Sequence, residues 1–285
     1  MIRAALKTVQ RKWDSYKYRF VPWVAVNLGK NERTLRKVQG LSQDKLVSDR
    51  DISASLLTLF QALFRSELSK HREVLGFLTV SSQTVYRSPA PEDGHCDPSR
   101  VMLDTLGFSI HRAPSSLQAA GTGVFVDVGV VPKGATVAMY PGTVYQTHEP
   151  IFFQSIGNPF VFRCIDGVLI DGNDRGISKV VFRSCSGRDR LGPFKLSDVS
   201  WLSASPGNPL AVGQYVNNCS NEKAANVCYQ EFDVPDSFPL ELRQYLPNVN
   251  YRQDIHRPLR CVVLVALREI HAGEELFSNY FTVVH

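Results

Sequence analysis

The chain has 285 residues, 44% of them hydrophobic, 10% aromatic and 21% charged, which supplies a substantial core and excludes disordered, collagen-like and mucin-like classes. The net charge of +5 is unevenly spread: residues 1–37 carry ten basic and two acidic side chains, net +8, and the remaining 248 carry 22 basic and 25 acidic, net −3. The basicity therefore describes a head, and the body is mildly acidic. No unbroken apolar run exceeds seven residues, against the roughly 18–20 a membrane-spanning helix needs, so no span is expected.

In the head, Ile2, Leu6, Val9 and Trp13 fall at helical spacing and predict an amphipathic helix over residues 1–20, with Arg3, Lys7 and Arg11 on the opposite side. Trp13, Tyr16, Tyr18, Phe20 and Trp23 follow as an aromatic cluster, and Pro22 ends or bends the helix. Three readings of this head stand side by side. It is a helix packed on the body with solvated charges, a docking segment for an acidic partner, or a mitochondrial presequence. The protein is expected inside the cell, with nuclear, cytoplasmic and mitochondrial destinations open.

A stronger helix is predicted over 48–78. Ser48 and Asp51 have capping-box spacing, and Ile52, Leu56, Leu59, Phe60, Leu63, Phe64 and Leu68 form one apolar face that must be covered. Residues 1–80 thus read as a basic, helical N-terminal region. The Pro-, Gly- and Ser-rich stretch 81–105 reads as a linker. From 106 onward the pattern is mainly β. Val124, Val126, Val128 and Val130 alternate, Val137 and Met139 lead into Pro141-Gly142, and short strands are expected at Phe160–Cys164, Val168–Ile170, Cys261–Leu267 and Leu276–Phe281.

Six cysteines, at 96, 164, 185, 219, 228 and 261, include no pair at zinc-knuckle spacing and are too sparse for a disulfide scaffold. Reduced thiols and no metal site are expected.

Three segments have chemical interest. Gly121-Thr122-Gly123 opens onto a strand, so its backbone could approach a ligand closely, though an ordinary turn has the same composition. Gln214-Tyr215-Val216-Asn217-Asn218-Cys219-Ser220 offers consecutive amides, either to a polar ligand or to an Asn-rich turn. Gly273-Glu274-Glu275-Leu276-Phe277-Ser278-Asn279-Tyr280 is a turn feeding a short strand that ends in Tyr280.

In this order, and with Lys133-Gly134-x-x-Val137-x-x-Tyr140-Pro141-Gly142 between the first and second, the segments resemble the SET domain of protein lysine methyltransferases over residues 106–285. The resemblance implies small β-sheets with a C-terminal pseudoknot. It also implies S-adenosylmethionine as cofactor and a protein substrate presenting a lysine, with nucleic acid not the expected partner of the domain. It assigns Gly121, Thr122, Gly123, Asn217, Asn218 and Tyr280 to the cofactor and makes Tyr280 catalytic as well. A peptide-binding module without turnover, or a methyltransferase acting on another acceptor, are the alternative functions.

Two positions depart from the family pattern. Asn218 replaces the usual His, and Ser278 replaces the usual aromatic two residues before the tyrosine. Cysteine-rich flanks are missing, so the basic insertion 175–210, with Trp201, is the candidate for the wall of the lysine channel. Its alternative reading is a solvated loop around one packed Trp.

Overall fold

A computed structural model describes residues 35–37, 45–80, 97–118, 120–192, 194–220, 222–253, 257–279 and 282–284. The helix expected over 1–20 and Tyr280 lie outside the described residues.

Strand β1 (Leu35–Lys37) precedes helices α1 (Asp49–Val80) and α2 (Pro98–Leu106). The next strands are β2 (Phe108–Pro114), β3 (Thr122–Val131), β4 (Thr136–Tyr140) and β5 (Gly142–Tyr145). After a one-turn helix α3 (Phe152–Ser155) come β6 (Val161–Arg163), β7 (Leu169–Asp171) and helix α4 (Gly176–Arg188). A small hairpin, β8 (Arg190–Leu191) and β9 (Phe194–Lys195), leads to β10 (Asn217–Asn218), β11 (Val227–Asp233) and β12 (Asn248–Asn250). The last strands are β13 (Arg260–Ala266), β14 (Ile270–His271), β15 (Phe277–Ser278) and β16 (Thr282–Val284).

Helix α1 starts where its capping box predicts. The Asp51 N–H donates to Ser48 Oγ at 3.2 Å, and that hydroxyl donates to Asp51 Oδ2 at 2.7 Å. Ile52, Leu56, Leu59 and Phe60 are fully buried in the main core, and each contributes about 1.5–3 kcal/mol of burial. Phe60 packs on Tyr245 and Phe238 at ring-centroid distances of 5.5 and 6.3 Å. Coverage stops short of Leu68, which is 48% exposed. Just before the helix, Gln230 of β11 accepts from the N–H groups of Leu46 and Val47 and donates to the Val47 carbonyl at 2.7 Å. The helix is therefore part of the same core as the sheets.

The stretch expected as a linker differs over its last part, because residues 98–106 are helical. Asp97 accepts from the Ser99 N–H at 3.0 Å, Pro98 sits in the first turn, and Gly107 closes the helix at φ +80°. Pro98 here starts a helix rather than punctuating a loop. Met102 buries that helix against the core.

The sheets are small: β14-β3-β2, β11-β13-β4 and β12-β5-β7-β6, with two-stranded pairs β10-β15, β1-β16 and β8-β9. Strand β13 lies between β11 and β4, and Cys261 through Val265 are wholly buried, as a run covered on both faces requires. In β3 the four alternating valines do not share a fate. Ile110 pairs with Val126 and Ser109 with Val128, so Asp127 is an extra residue and the strand bulges there. Val124 and Val126 are buried, whereas Val128 and Val130 are 48% and 43% exposed.

The insertion 175–210 is also more ordered than a loop. It contains α4, whose Phe182 is buried edge-on to Trp201 at 5.0 Å, and Trp201 is itself buried. The helix begins at Arg175 and Gly176 with no side-chain cap, so the usual start signal is missing.

The C-terminal segment is held from two sides. The Cys219 N–H donates to the Ser278 carbonyl at 2.8 Å, and the Asn226 N–H donates to the Phe277 carbonyl at 2.9 Å. The Asn226 side chain adds a bond to the Glu275 carbonyl and one from the Phe277 N–H, both 2.8 Å. On the other side the Leu276 N–H donates to the Val124 carbonyl at 2.8 Å. Both ends of the 219–226 loop thus grip a segment that also pairs with β3, which is the pseudoknot arrangement.

Candidate functional site

The β10-β15 pair brings two of the three segments together in parallel register, Asn217 opposite Phe277 and Asn218 opposite Ser278. The third joins through a side chain. Asn217 Nδ2 donates to the Thr122 carbonyl at 3.1 Å and to Glu275 Oε1 at 3.3 Å. Gly121, Thr122, Gly123, Asn217 and Asn218 therefore occupy one neighbourhood. Tyr280 follows directly on Asn279 in the same segment but lies outside the described residues.

At the centre of this neighbourhood is a residue the sequence reading passed over. The Glu275 carboxylate accepts from Ser115 Oγ at 2.6 Å, from the Ser116 N–H at 2.8 Å and from Ser116 Oγ at 2.6 Å, besides Asn217. Burial pushes this carboxyl upward, but the bonds from Ser115, Ser116 and Asn217 outweigh it and hold the group below the ordinary glutamate value. Neither Ser115-Ser116 nor the pair Glu274-Glu275 signals this role in the sequence, because the partners come from distant parts of the chain.

The two loop glycines serve different purposes. Gly121 has φ +76° and open space where a Cβ would stand. At Gly123 a Cβ would lie 2.2 Å from Glu275 Oε1, so a side chain there would push the carboxylate aside. Asn217 likewise spends its Nδ2 on the loop and on Glu275.

A second cluster ties this region to the insertion. Arg112 stacks over the Tyr215 ring at 5.3 Å and donates to the Ser203 and Ala204 carbonyls. The Tyr215 hydroxyl donates to Asp174 Oδ2 at 2.7 Å, next to the start of α4. Burial, with Asp174 accepting its proton, pushes the Tyr215 phenol up to about 12. The side chain two residues before Asn217 is thereby fixed. Ser278 is fully buried, and its Oγ has no hydrogen-bond partner.

Among the described residues, Cys164, Asp166 and Glu231 place potential metal-ligand atoms within 4.8 Å of one another. The Arg260 guanidinium fills the cationic role there. It bonds Asp166 at 3.0 Å and Asp233 at 2.6 Å, and it pairs with Glu231. Burial also pushes the Cys164 thiol well up, away from a ligating thiolate.

No family model matches the chain. SET domain-containing protein 9 of Homo sapiens is 60% identical over 293 residues, covering 98% of this chain and 98% of that protein. The chain belongs to the SET domain-containing protein 9 family. The protein of the same name from Pongo abelii is 61% identical over 265 residues, or 88% of this chain and 97% of its own. Membership in a SET-domain family agrees with the fold described above: mainly β, small sheets, a C-terminal pseudoknot and a helical region before it. Among solved structures, the chain is similar to Chaetomium thermophilum Polycomb Repressive Complex 2 bound to GSK126, at 16% identity and TM-score 0.34 over 61% of this chain and 16% of that one. It is also similar to KRYPTONITE in complex with mCHH DNA, H3(1-15) peptide and SAH, at 18% identity and TM-score 0.32 over 64% of this chain and 25% of that one. No helix among the described residues is long and apolar enough to cross a membrane.

Proposed function

We propose that the protein is an S-adenosylmethionine-dependent methyltransferase that acts on a lysine of a protein substrate. The observation that carries this is the joining of Gly121–Gly123 to Asn217 through the 3.1 Å bond to the Thr122 carbonyl, in a chain of a SET-domain family. The residues fit the cofactor: Gly121 leaves open space beside its backbone, and the ionised Glu275 gives the neighbourhood a negative charge suited to a cationic ligand. Backbone groups of Gly121, Thr122 and Gly123, the backbone and Oδ1 of Asn217, and Asn218 would hold it.

When bound, S-adenosylmethionine supplies an electrophilic methyl group on a sulfonium. The protein's share of the work is alignment, since in-line displacement needs the amine, the methyl and the sulfur on one axis. Tyr280 would stand at that axis and contact both cofactor and acceptor. A lysine amine attacks only when neutral, and its free pKa is about 10.4. Buried Val216, Leu276 and Phe277 keep water from β15, while Asn218 on β10 stays exposed, and the sulfonium charge of a bound cofactor would disfavour the ammonium form.

Asn218 and Ser278 favour a second reading, a peptide-binding module that keeps the fold without turnover. Calorimetric titration with S-adenosylmethionine separates the two. Saturable binding in the micromolar range supports the enzyme, and no heat at millimolar cofactor removes it.

A further inference from the structure

We infer that Glu275 is the positioning residue that presets the Gly121–Gly123 loop and Asn217 for the cofactor; the inference rests on the cofactor reading above. Three chain segments far apart in sequence meet on its carboxylate: Ser115 and Ser116 ahead of the loop, Asn217 on β10, and the C-terminal segment to which Glu275 itself belongs. The loop is closed on itself as well, because the Ser115 N–H donates to the Gly121 carbonyl at 2.8 Å. Fixing Ser115 therefore fixes where Gly121 begins.

The backbone of Glu275 is not free to adjust to the loop. Asn226 Nδ2 holds its carbonyl at 2.8 Å, and Glu275 bridges to Phe125 within β3. Thr122 and Gly123 are already paired with Pro114 and Ala113 between β3 and β2, so what the carboxylate sets is the Ser115–Ser116 turn that leads to Gly121. An ionised carboxylate suits this position, since each of its oxygens faces a group that can only donate, the Ser116 N–H at Oε2 and Asn217 Nδ2 at Oε1. A carboxamide would turn an N–H₂ group toward one of these donors and break the set. Gly123 completes the device, because any side chain there would occupy the space of Glu275 Oε1.

A merely structural role would lower stability throughout, whereas a positioning role loosens one loop and weakens one ligand. The test compares wild type, Glu275→Gln and the milder Ser116→Ala in the full chain. Calorimetry with S-adenosylmethionine and hydrogen exchange of residues 115–123 without cofactor are read on each. We expect Glu275→Gln to weaken cofactor binding at least tenfold and to speed exchange in 115–123 while the β11-β13-β4 sheet keeps its protection. Ser116→Ala should do the same to a smaller degree. Should Glu275→Gln fail to fold, Ser116→Ala alone decides. Cofactor affinity within twofold of wild type, with loop exchange unchanged, would overturn the inference. Wild type that binds no cofactor would instead defeat the proposed function.

Discussion

Asn217 Nδ2 and the Thr122 carbonyl meet at 3.1 Å across 95 residues of sequence, and this bond is what makes one site of two separate motifs. It sits next to the Glu275 carboxylate, which accepts from the same amide group at 3.3 Å. The first prediction follows directly. Asn217→Ala removes both bonds, and a hydrogen bond to a charged acceptor is worth about 1.5–3 kcal/mol. The S-adenosylmethionine Kd should rise at least about tenfold, measured by calorimetry, and the midpoint of urea unfolding should fall by the equivalent of about 1.5–3 kcal/mol. An unchanged Kd would mean that the loop needs no tie to β10.

Tyr280→Phe tests the catalytic assignment separately from binding. Removing the hydroxyl should lower kcat for methyl transfer by about two orders of magnitude, the usual scale for an aligned polar group at the reacting centre. Cofactor affinity should stay within about threefold. Equal turnover by the variant would place the active residue elsewhere.

How much of this was readable beforehand differs by element. Helix α1 was legible because its signals are local: Ser48 and Asp51 cap it, and the period from Ile52 to Leu63 matches the buried face. Val128 and Val130 show the opposite case. Their alternation continues that of Val124 and Val126, but the bulge at Asp127 turns the strand over, and only pairing with β2 creates that bulge. Helix α4 was missed because Arg175 and Gly176 give no cap. The motif segments were legible as a set through resemblance. The role of Glu275 was not, since it depends on Ser115, Ser116 and Asn217 converging from distant parts of the chain.

Packing of α1 on the sheets leads to a stability prediction. Phe60 is fully buried against Tyr245 and Phe238, so Phe60→Ala should cost about 3–5 kcal/mol, read from urea or thermal unfolding. Leu68→Ala, on the same helix but 48% exposed, should change stability by no more than about 0.5 kcal/mol. Equal effects would show that the helix is not docked as described.

Asp198 yields a pH prediction. It is buried, and its carboxylate accepts from the Ser200 N–H at 2.7 Å and from the Asn208 N–H at 3.3 Å. Burial raises the carboxyl to about 6 despite these bonds, and Glu67 on α1 pushes the same way. A folded-state value above the unfolded one means that the native protein holds the extra proton. The contribution is therefore present below pH about 4 and lost as pH rises to about 6. Asp198→Asn should make the stability slope between pH 4 and 6 more positive than that of wild type, measured by urea unfolding at each pH. Identical slopes would show that Asp198 ionises as freely folded as unfolded.

The central claim is methyl transfer to lysine at a site built from Gly121–Gly123, Asn217 and the segment ending in Tyr280. Its most direct test is incubation of the full-length protein with methyl-labelled S-adenosylmethionine and a proteome array, followed by mass spectrometry of the labelled residues. The account predicts label on lysine side chains, lost with Tyr280→Phe and reduced with Asn217→Ala. Label on another residue type, or no label from protein shown to bind the cofactor, would contradict it.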